Sequence, residues 1–159
     1  MLSVKLITLG TLKEDYWREA AAEYEKRLGG FCKIEIVQLK EERVADNPSE
    51  GEIRRALEQE AGKILEQIPK KAFPIALCVE GKQLTSEELA DKLGEIAESH
   101  GEVCLIIGSS HGLADSVKNA CRFRLSVSKL TFPHQLMRVL LLETVYRSLN
   151  ILKGTKYHK

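Results

Sequence analysis

Two short runs of uninterrupted apolar residues constrain the fold of this chain more than any other feature. They cover residues 74–79 (PIALCV) and 103–107 (VCLII). Strands that are apolar on both sides are typical of a parallel sheet with both faces covered. Segments of helical periodicity separate these runs from each other and from further strand patterns. The alternation predicts an α/β fold, a mostly parallel sheet with helices on both faces.

The remaining segments fit the same alternation. Ser49 with Glu52, and Thr85 with Glu88, resemble capping boxes that begin two helices. Periodicity predicts the other elements over residues 4–9 (strand), 14–28 (helix), 32–36 (strand near a sheet edge), 115–120 (short helix) and 124–128 (strand).

Size and composition predict one globular domain spanning residues 1–159. Of the 159 residues, 43% are hydrophobic and 30% charged, which suffices for a sizeable core. No apolar run approaches the roughly 18 residues of a membrane-spanning helix, and the first residues read as a strand rather than a signal peptide. We therefore expect a cytoplasmic protein without a membrane segment. The four cysteines are widely spaced, so no metal site is predicted.

Charge is distributed unevenly along the chain. Residues 118–159 contain nine Lys or Arg and a single acid, Glu143, which gives this segment a net charge of +8. The whole chain carries +1, so the first 117 residues carry −7. A basic segment of this kind is either a solvated surface or a site for a polyanion. Its overlap with the polar loop described next favours a nucleic acid.

Residues 124–147 contain a polar loop between two apolar elements. Ser126, Ser128, Lys129 and Thr131 follow the predicted strand, and a long helix begins after Pro133. Polar loops at the carboxyl ends of strands commonly bind ligands in α/β proteins, although many are ordinary connections. The helix is apolar nearly all round, so it must be covered by this domain or by a second chain.

The sequence GSSHG at 108–112 has two chemical interpretations. It matches the G-x-S-x-G elbow of an esterase with Ser110 as nucleophile, but no suitably ordered acid and histidine follow. As a phosphate loop it lacks the third glycine of a dinucleotide site and the Lys-Ser or Lys-Thr of a P-loop. A nucleoside held by backbone groups remains possible, since glycines let the backbone approach a ligand closely.

The C-terminal residues 153–159 (KGTKYHK) combine a glycine, an aromatic ring, a histidine and three lysines. A basic terminus is often frayed and without function. An aromatic ring that can stack on a base, beside cations that can bind phosphates, also suits single-stranded RNA.

Several stretches of the chain resemble the RlmH family, which belongs to the SPOUT class of methyltransferases. They are Tyr16-Trp17, EGK at 80–82, the strand ending in IIG, the run LTFPHQLMRVLLLETVYR and the terminal YHK. The resemblance implies a C-terminal trefoil knot, a homodimer and S-adenosylmethionine as methyl donor. It also implies methylation of N3 of a pseudouridine in a hairpin loop of 23S ribosomal RNA. The chain departs from the family at Ser109, where a second glycine is usual.

The resemblance also assigns candidate site residues. The cofactor would be held by Leu77, Gly108, Val127, Ser128, Lys129, Leu130, Thr131 and Phe132. N3 must lose a proton before it attacks, and a positioned base contributes about 10²–10⁴-fold. His158 is the first candidate for this base and His134 the second, although His134 can instead cap the helix and His158 can instead contact RNA.

The same resemblance places the basic residues near RNA. Arg138, the third candidate catalytic residue, is free to meet a phosphate or the uracil carbonyls, whereas Arg147 can pair with Glu143 four residues before it. The candidates for binding RNA are Arg147, Lys156, Tyr157 and Lys159. A protein of a different class, which binds ribosomal RNA without transferring a methyl group, stays open as the alternative, with Ser109 as the first reason to suspect it.

Overall fold

The computed structural model describes residues 1–159 and contains five strands and five helices that alternate along the chain. The strands are β1 (Ser3–Leu9), β2 (Lys33–Leu39), β3 (Phe73–Lys82), β4 (Glu102–Ile107) and β5 (Phe123–Leu125). The helices are α1 (Asp15–Leu28), α2 (Glu50–Gln67), α3 (Ser86–Ser99), α4 (Asp115–Ala120) and α5 (His134–Lys153). All strand pairs are parallel, in the order β2-β1-β4-β3-β5.

Alternate residues of the strands belong to two hydrophobic cores on opposite faces of the sheet. In β4, Val103, Leu105 and Ile107 pack with α1, α3 and α5, whereas Cys104 and Ile106 pack with α2 and α4. The fully apolar pattern of this strand follows from burial on both faces. The predicted sheet covered on both sides is therefore present, and β2 lies at an edge as its half-polar pattern predicted.

Both predicted capping boxes are formed. The Ser49 side chain accepts a hydrogen bond from the backbone of Glu52, whose carboxylate accepts from the backbone of Ser49. Thr85 and Glu88 make the same reciprocal pair at the start of α3. These bonds satisfy amide groups that the first turn of a helix leaves without partners.

The strand predicted over 124–128 is wrong in its bounds, because β5 ends at Leu125. Its pairing with β3 shifts register, and the Ser126 amide donates to the carbonyl of Lys82. The Ser126 hydroxyl then donates to the carbonyl of Ser128, which turns the chain away from the sheet. These two hydrogen bonds of Ser126 thus replace the strand pairing that was predicted for residues 126–128.

The connection from β5 to α5 crosses most of the sheet. β5 lies at the edge beyond β3, whereas α5 packs between α3 and α1. The chain between β5 and α5 must therefore cross the segment that connects β3 to α3. Near this crossing, a side chain at Gly81 would approach backbone atoms of Arg124 and Leu125 to within 2.7–2.8 Å, so only glycine fits.

The long apolar helix predicted after Pro133 is α5, and this domain covers three of its sides. Its buried residues face the sheet, α1 and α3 and include Leu141, Leu142, Val145 and Leu149. No helix of the structure is both long and apolar enough to cross a bilayer.

Candidate functional site

The second half of β3 and the turns that follow β4 and β5 meet at the carboxyl edge of the sheet and enclose a cavity of about 630 Å³. Each of the three contributes adjacent residues to the cavity wall, which are residues 77–80, 107–113 and 125–128. The start of α5 closes another side through His134 and Met137. Small-molecule sites typically have volumes of about 300–1,000 Å³ and mostly apolar walls with a few polar groups. This cavity has that form.

The turn after β4 is tight because of its glycines. A side chain at Gly108 would lie 2.3 Å from the carbonyl oxygen of Gly112, and Gly112 itself has a φ of +91°. The Gly112 amide donates to the carbonyl of Ser109 and closes the turn. The motif at 108–112 therefore shapes a backbone wall of the cavity.

Seven of the eight residues predicted to hold the cofactor line this cavity. They are Leu77, Gly108, Val127, Ser128, Leu130, Thr131 and Phe132. The eighth, Lys129, is exposed and is absent from the wall. The Ser128 hydroxyl accepts from the Leu130 amide, so the loop after β5 is held in a defined turn in which Lys129 points to solvent.

Two charged side chains at the rim were not predicted from the sequence. Lys118 of α4 donates to Glu80 of β3 at 2.5 Å, and both residues line the cavity. This hydrogen bond to Lys118 is the main reason that the pKa of Glu80 lies below its ordinary value. Thirty-eight residues separate the two, and nothing in the local pattern of either residue signals the pair.

Behind the turn after β4 lies a buried carboxylate, Glu60 of α2, which is only 3% exposed. The Ser109 hydroxyl donates to Glu60 Oε1 at 2.9 Å, and the backbone amide of Glu42 donates to Oε2 at 2.9 Å. Burial is the largest influence on the pKa of Glu60 and raises it, while the two hydrogen bonds act in the opposite direction. The unusual Ser109 is thus bonded to α2 on the side away from the cavity.

Of the three candidate catalytic residues, His134 lines the cavity and the other two do not. Arg138 is 3% exposed, and its guanidinium donates to Gln38 Oε1 at 2.7 Å and to the carbonyl of Gly10 at 3.0 Å. The expectation that Arg138 is free to meet RNA does not fit this geometry, since packing between α5 and the ends of β1 and β2 occupies it.

His158 is folded back onto α3 and α5. Its Nε2 lies 2.8 Å from Glu87 Oε1, and its Nδ1 lies 3.3 Å from a guanidinium nitrogen of Arg147. Because arginine can only donate, Nδ1 is the acceptor and Nε2 carries the proton. Both ring nitrogens are therefore engaged in this conformation.

The other residues predicted to bind RNA surround His158. Arg147 pairs with Glu143 as predicted, at 2.6 Å, and lies 4.7 Å from the centre of the Tyr157 ring. The Tyr157 hydroxyl donates to Glu143 at 2.9 Å, and burial together with this carboxylate raises its pKa to about 12. Lys156 and Lys159 are exposed and have no acidic partner.

The esterase interpretation of Ser110 is not supported by the geometry. Its hydroxyl donates to Glu41 at 3.2 Å, with no histidine between the two groups. A serine nucleophile needs an adjacent base that removes its proton, usually a histidine oriented by an acid. That arrangement does not occur around Ser110.

Comparisons with known proteins agree on one family. A family model described as "Predicted SPOUT methyltransferase" matches residues 2–158. A relative from Bifidobacterium adolescentis is 47% identical over 160 residues, covering 99% of this chain and 100% of the relative. One from Bacillus pumilus is 43% identical over 159 residues, with the same coverage. Both relatives are named ribosomal RNA large subunit methyltransferase H.

A solved structure shows the same fold at low sequence identity. The crystal structure of a probable methyltransferase from Bordetella pertussis Tohama I superposes with a TM-score of 0.58. The match covers 93% of this chain and 96% of the other, at 15% identity.

Proposed function

Because the chain belongs to the SPOUT methyltransferase family, and within it groups with the relatives named ribosomal RNA large subunit methyltransferase H, we propose that it methylates 23S ribosomal RNA. The proposed reaction transfers a methyl group from S-adenosylmethionine to N3 of a pseudouridine in a hairpin loop. Residues 1–159 act as one methyltransferase domain in the cytoplasm. The observation that supports this best is the meeting of the second half of β3 with the turns after β4 and β5 around one cavity of suitable size.

The residues of this cavity fit the methyl donor chemically. Leu77, Ile107 and Val127 supply apolar surface for the adenine, and the backbone groups of the 108–112 turn and the 126–132 loop can hold its polar parts. When bound, S-adenosylmethionine supplies an electrophilic methyl group on a sulfonium. The main task of these residues is then alignment, which can contribute up to roughly 7–11 kcal/mol of the barrier.

We propose His134 as the base that accepts the N3 proton. It lines the cavity, and neither of its ring nitrogens is hydrogen bonded within the chain. His158, by contrast, can accept a proton only after its Nδ1 atom leaves Arg147. Arg147 of α5 and the C-terminal residues Lys156, Tyr157 and Lys159 are proposed to contact RNA once the C-terminal segment is released.

We further propose that the protein is a homodimer. The outer stripe of α5 carries the aliphatic residues Leu136, Leu140 and Ile151, which are only half-buried, and Leu130 beside the cavity is 71% exposed. Apolar surface of this kind beside a site marks a protein interface. Two-fold dimers are the commonest soluble homo-oligomers.

The function is tested in two steps. Calorimetry should detect binding of S-adenosylmethionine, and ribosomal particles that lack the modification should then gain one methyl group, located by mass spectrometry of RNA fragments. Donor binding without transfer to any ribosomal particle would favour the RNA-binding alternative. Failure to bind the donor would contradict the proposal itself.

His134→Gln tests the proposed base. This variant should lower kcat by about 10²–10⁴-fold while donor affinity stays the same. His158→Gln should mainly raise the KM for the ribosomal substrate. His100→Gln is the control. His100 directly follows the last residue of α3, whereas His158 contacts Glu87 in the first turn of that helix, and His100 does not line the cavity. A His134→Gln enzyme with unchanged kcat would exclude this residue as the base.

A further inference from the structure

Glu60 is the only acidic residue that the fold buries, and apart from it the buried face of α2 consists of Ala56, Ala61 and Ile64. A carboxylate in such surroundings is costly unless its oxygens are hydrogen bonded. Each oxygen of Glu60 accepts one bond, from Ser109 and from the amide of Glu42. Neither oxygen is directed into the cavity, because Glu60 does not line it.

The two donors belong to different connections at the carboxyl edge of the sheet. Ser109 lies in the turn between β4 and α4, and Glu42 lies in the connection between β2 and α2. A second bond joins the same two segments, because Ser110 donates to Glu41. The carboxylate of Glu60 is therefore the buried point at which the cavity turn is attached to the rest of the domain.

The position of the turn depends on this attachment. Ser109 is 8% exposed and contributes to the cavity wall, while its hydroxyl points the other way, to Glu60. Its carbonyl accepts from the Gly112 amide, so fixing Ser109 also fixes the far end of the turn. A shift of the Ser109 side chain would move the backbone groups that face the cavity.

We propose that Glu60 is a positioning residue for the methyl donor: its carboxylate holds Ser109, and through it the 108–112 turn, in the conformation that binds the donor. This inference rests on the proposed function, since it takes the cavity to be the donor site. It assigns a role to Ser109 as well, as the donor of the hydrogen bond through which Glu60 acts.

Ser109→Ala and Glu60→Gln test the proposal. Alanine at position 109 removes the donated hydrogen bond. Glutamine at position 60 keeps an oxygen for the Glu42 amide but turns an NH₂ group, which donates, towards Ser109, so a neutral hydrogen bond of the opposite direction replaces the charged one. Ser109→Ala should raise the Kd of S-adenosylmethionine about tenfold or more, as expected for loss of a hydrogen bond to a charged group, and Glu60→Gln should raise it by a smaller factor. The KM for the ribosomal substrate should be unchanged, and kcat at saturating donor should stay within about twofold. A residue that only stabilised the fold would not raise the Kd for the donor while leaving the KM for the ribosomal substrate and kcat unchanged.

Two comparisons make the result specific. Glu58→Gln is the control, because Glu58 is exposed on the same helix. The double variant should raise the Kd by less than the product of the two single effects, since both changes remove the same interaction. If Glu60→Gln does not fold, Ser109→Ala decides the question alone.

The parent protein distinguishes the two possible failures. If the parent binds the donor and folded Ser109→Ala binds it equally well, the positioning role of Glu60 is excluded while the proposed function stands. If the parent does not bind the donor, both the proposed function and this inference fall.

Discussion

Glu60 and Arg138 are charged side chains that are each 3% exposed, and neither has an opposite charge within 4 Å. The Glu60 carboxylate has a hydrogen bond to each oxygen, whereas the Nε atom of Arg138 has no partner. Burial lowers the pKa of Arg138 and raises that of Glu60. Both groups connect distant segments of the chain through hydrogen bonds.

Protonation of Glu60 should affect stability in a predictable direction. Because burial raises its pKa, the folded state binds the proton more tightly than the unfolded state, despite opposing hydrogen bonds and the charge of Lys63. The contribution of Glu60 to the free energy of unfolding is complete at pH values below the pKa that it has in the unfolded chain. This contribution is lost as the pH rises through the higher pKa that it has in the folded protein. The free energy of unfolding of Glu60→Gln should therefore increase relative to the parent across that interval.

Urea unfolding of both proteins at a series of pH values measures this difference. Glu58→Gln serves as the control for loss of a surface carboxylate on α2. A difference between parent and Glu60→Gln that is constant from acidic to neutral pH would contradict the raised pKa.

Single residues of the site were predictable where they lie in or directly after an apolar strand. Leu77 lies within one apolar run and Gly108 directly follows another, so their place towards the carboxyl edge follows from the fold class. The pairs Ser109–Glu60 and Arg138–Gly10 join residues 49 and 128 positions apart. Such contacts depend on how the elements pack, and no periodicity within one segment reveals them.

At the scale of elements, helix starts were predictable and the end of β5 was not. The capping boxes of α2 and α3 are local, with donor and acceptor three residues apart. The end of β5 depends on a register shift against β3 and on bonds from Ser126 to Lys82 and Ser128. The alternation of Leu125 and Val127 continues past the point at which these bonds redirect the chain.

The cap of α3 can be tested directly. Thr85→Ala removes the hydroxyl that accepts from the Glu88 amide and should lower the free energy of unfolding by about 1 kcal/mol. Thr85→Ser keeps the hydroxyl and should stay close to the parent. Chemical denaturation measures both variants, and equal losses in the two would show that the cap is not the cause.

The contact between β3 and β5 leads to a second prediction for elements. Gly81→Ala places a methyl group against the backbone of Arg124 and Leu125, atoms that can move only if the strands separate. Overpacking of this kind costs about 1–3 kcal/mol or more. The matched control is Gly62→Ala in α2, where nothing lies within 4 Å.

The control should change stability in the opposite direction. Alanine in place of an exposed glycine inside a helix stabilises it by about 0.5–1 kcal/mol. Denaturant unfolding of the two variants should therefore give shifts of opposite sign. A Gly81→Ala protein as stable as the parent would show that the two strands are not held this closely.

For the whole molecule, the predicted fold class is confirmed, as an α/β sheet with helices on both faces and the knotted SPOUT architecture. The sheet follows from the pattern of strands and helices alone. The knot does not, because it depends on which side of the β3–α3 segment the last connection passes, and no hydrophobic pattern encodes that choice. Knots are also rare enough that general rules disfavour them, so this part of the prediction came from the resemblance.

The proposed dimer gives a prediction for the whole molecule. The sheet, α1 and α3 cover three sides of α5, and Tyr157 packs over Tyr146 with ring centres 4.8 Å apart. Leu136 and Leu140 lie on the outer stripe away from this cover, and both are half-buried. Leu140→Arg places a charge at the centre of the proposed interface, where an unpaired buried charge costs several kcal/mol.

Light scattering should therefore give the parent twice the 17.9 kDa mass of the chain and give Leu140→Arg the mass of one chain. Leu65→Arg is the control, because Leu65 is a 38% exposed leucine on α2, at the opposite face of the sheet. This control should keep the mass of the parent. If Leu140→Arg stays dimeric while folded, the outer stripe of α5 is not the interface, and its apolar residues require a different partner.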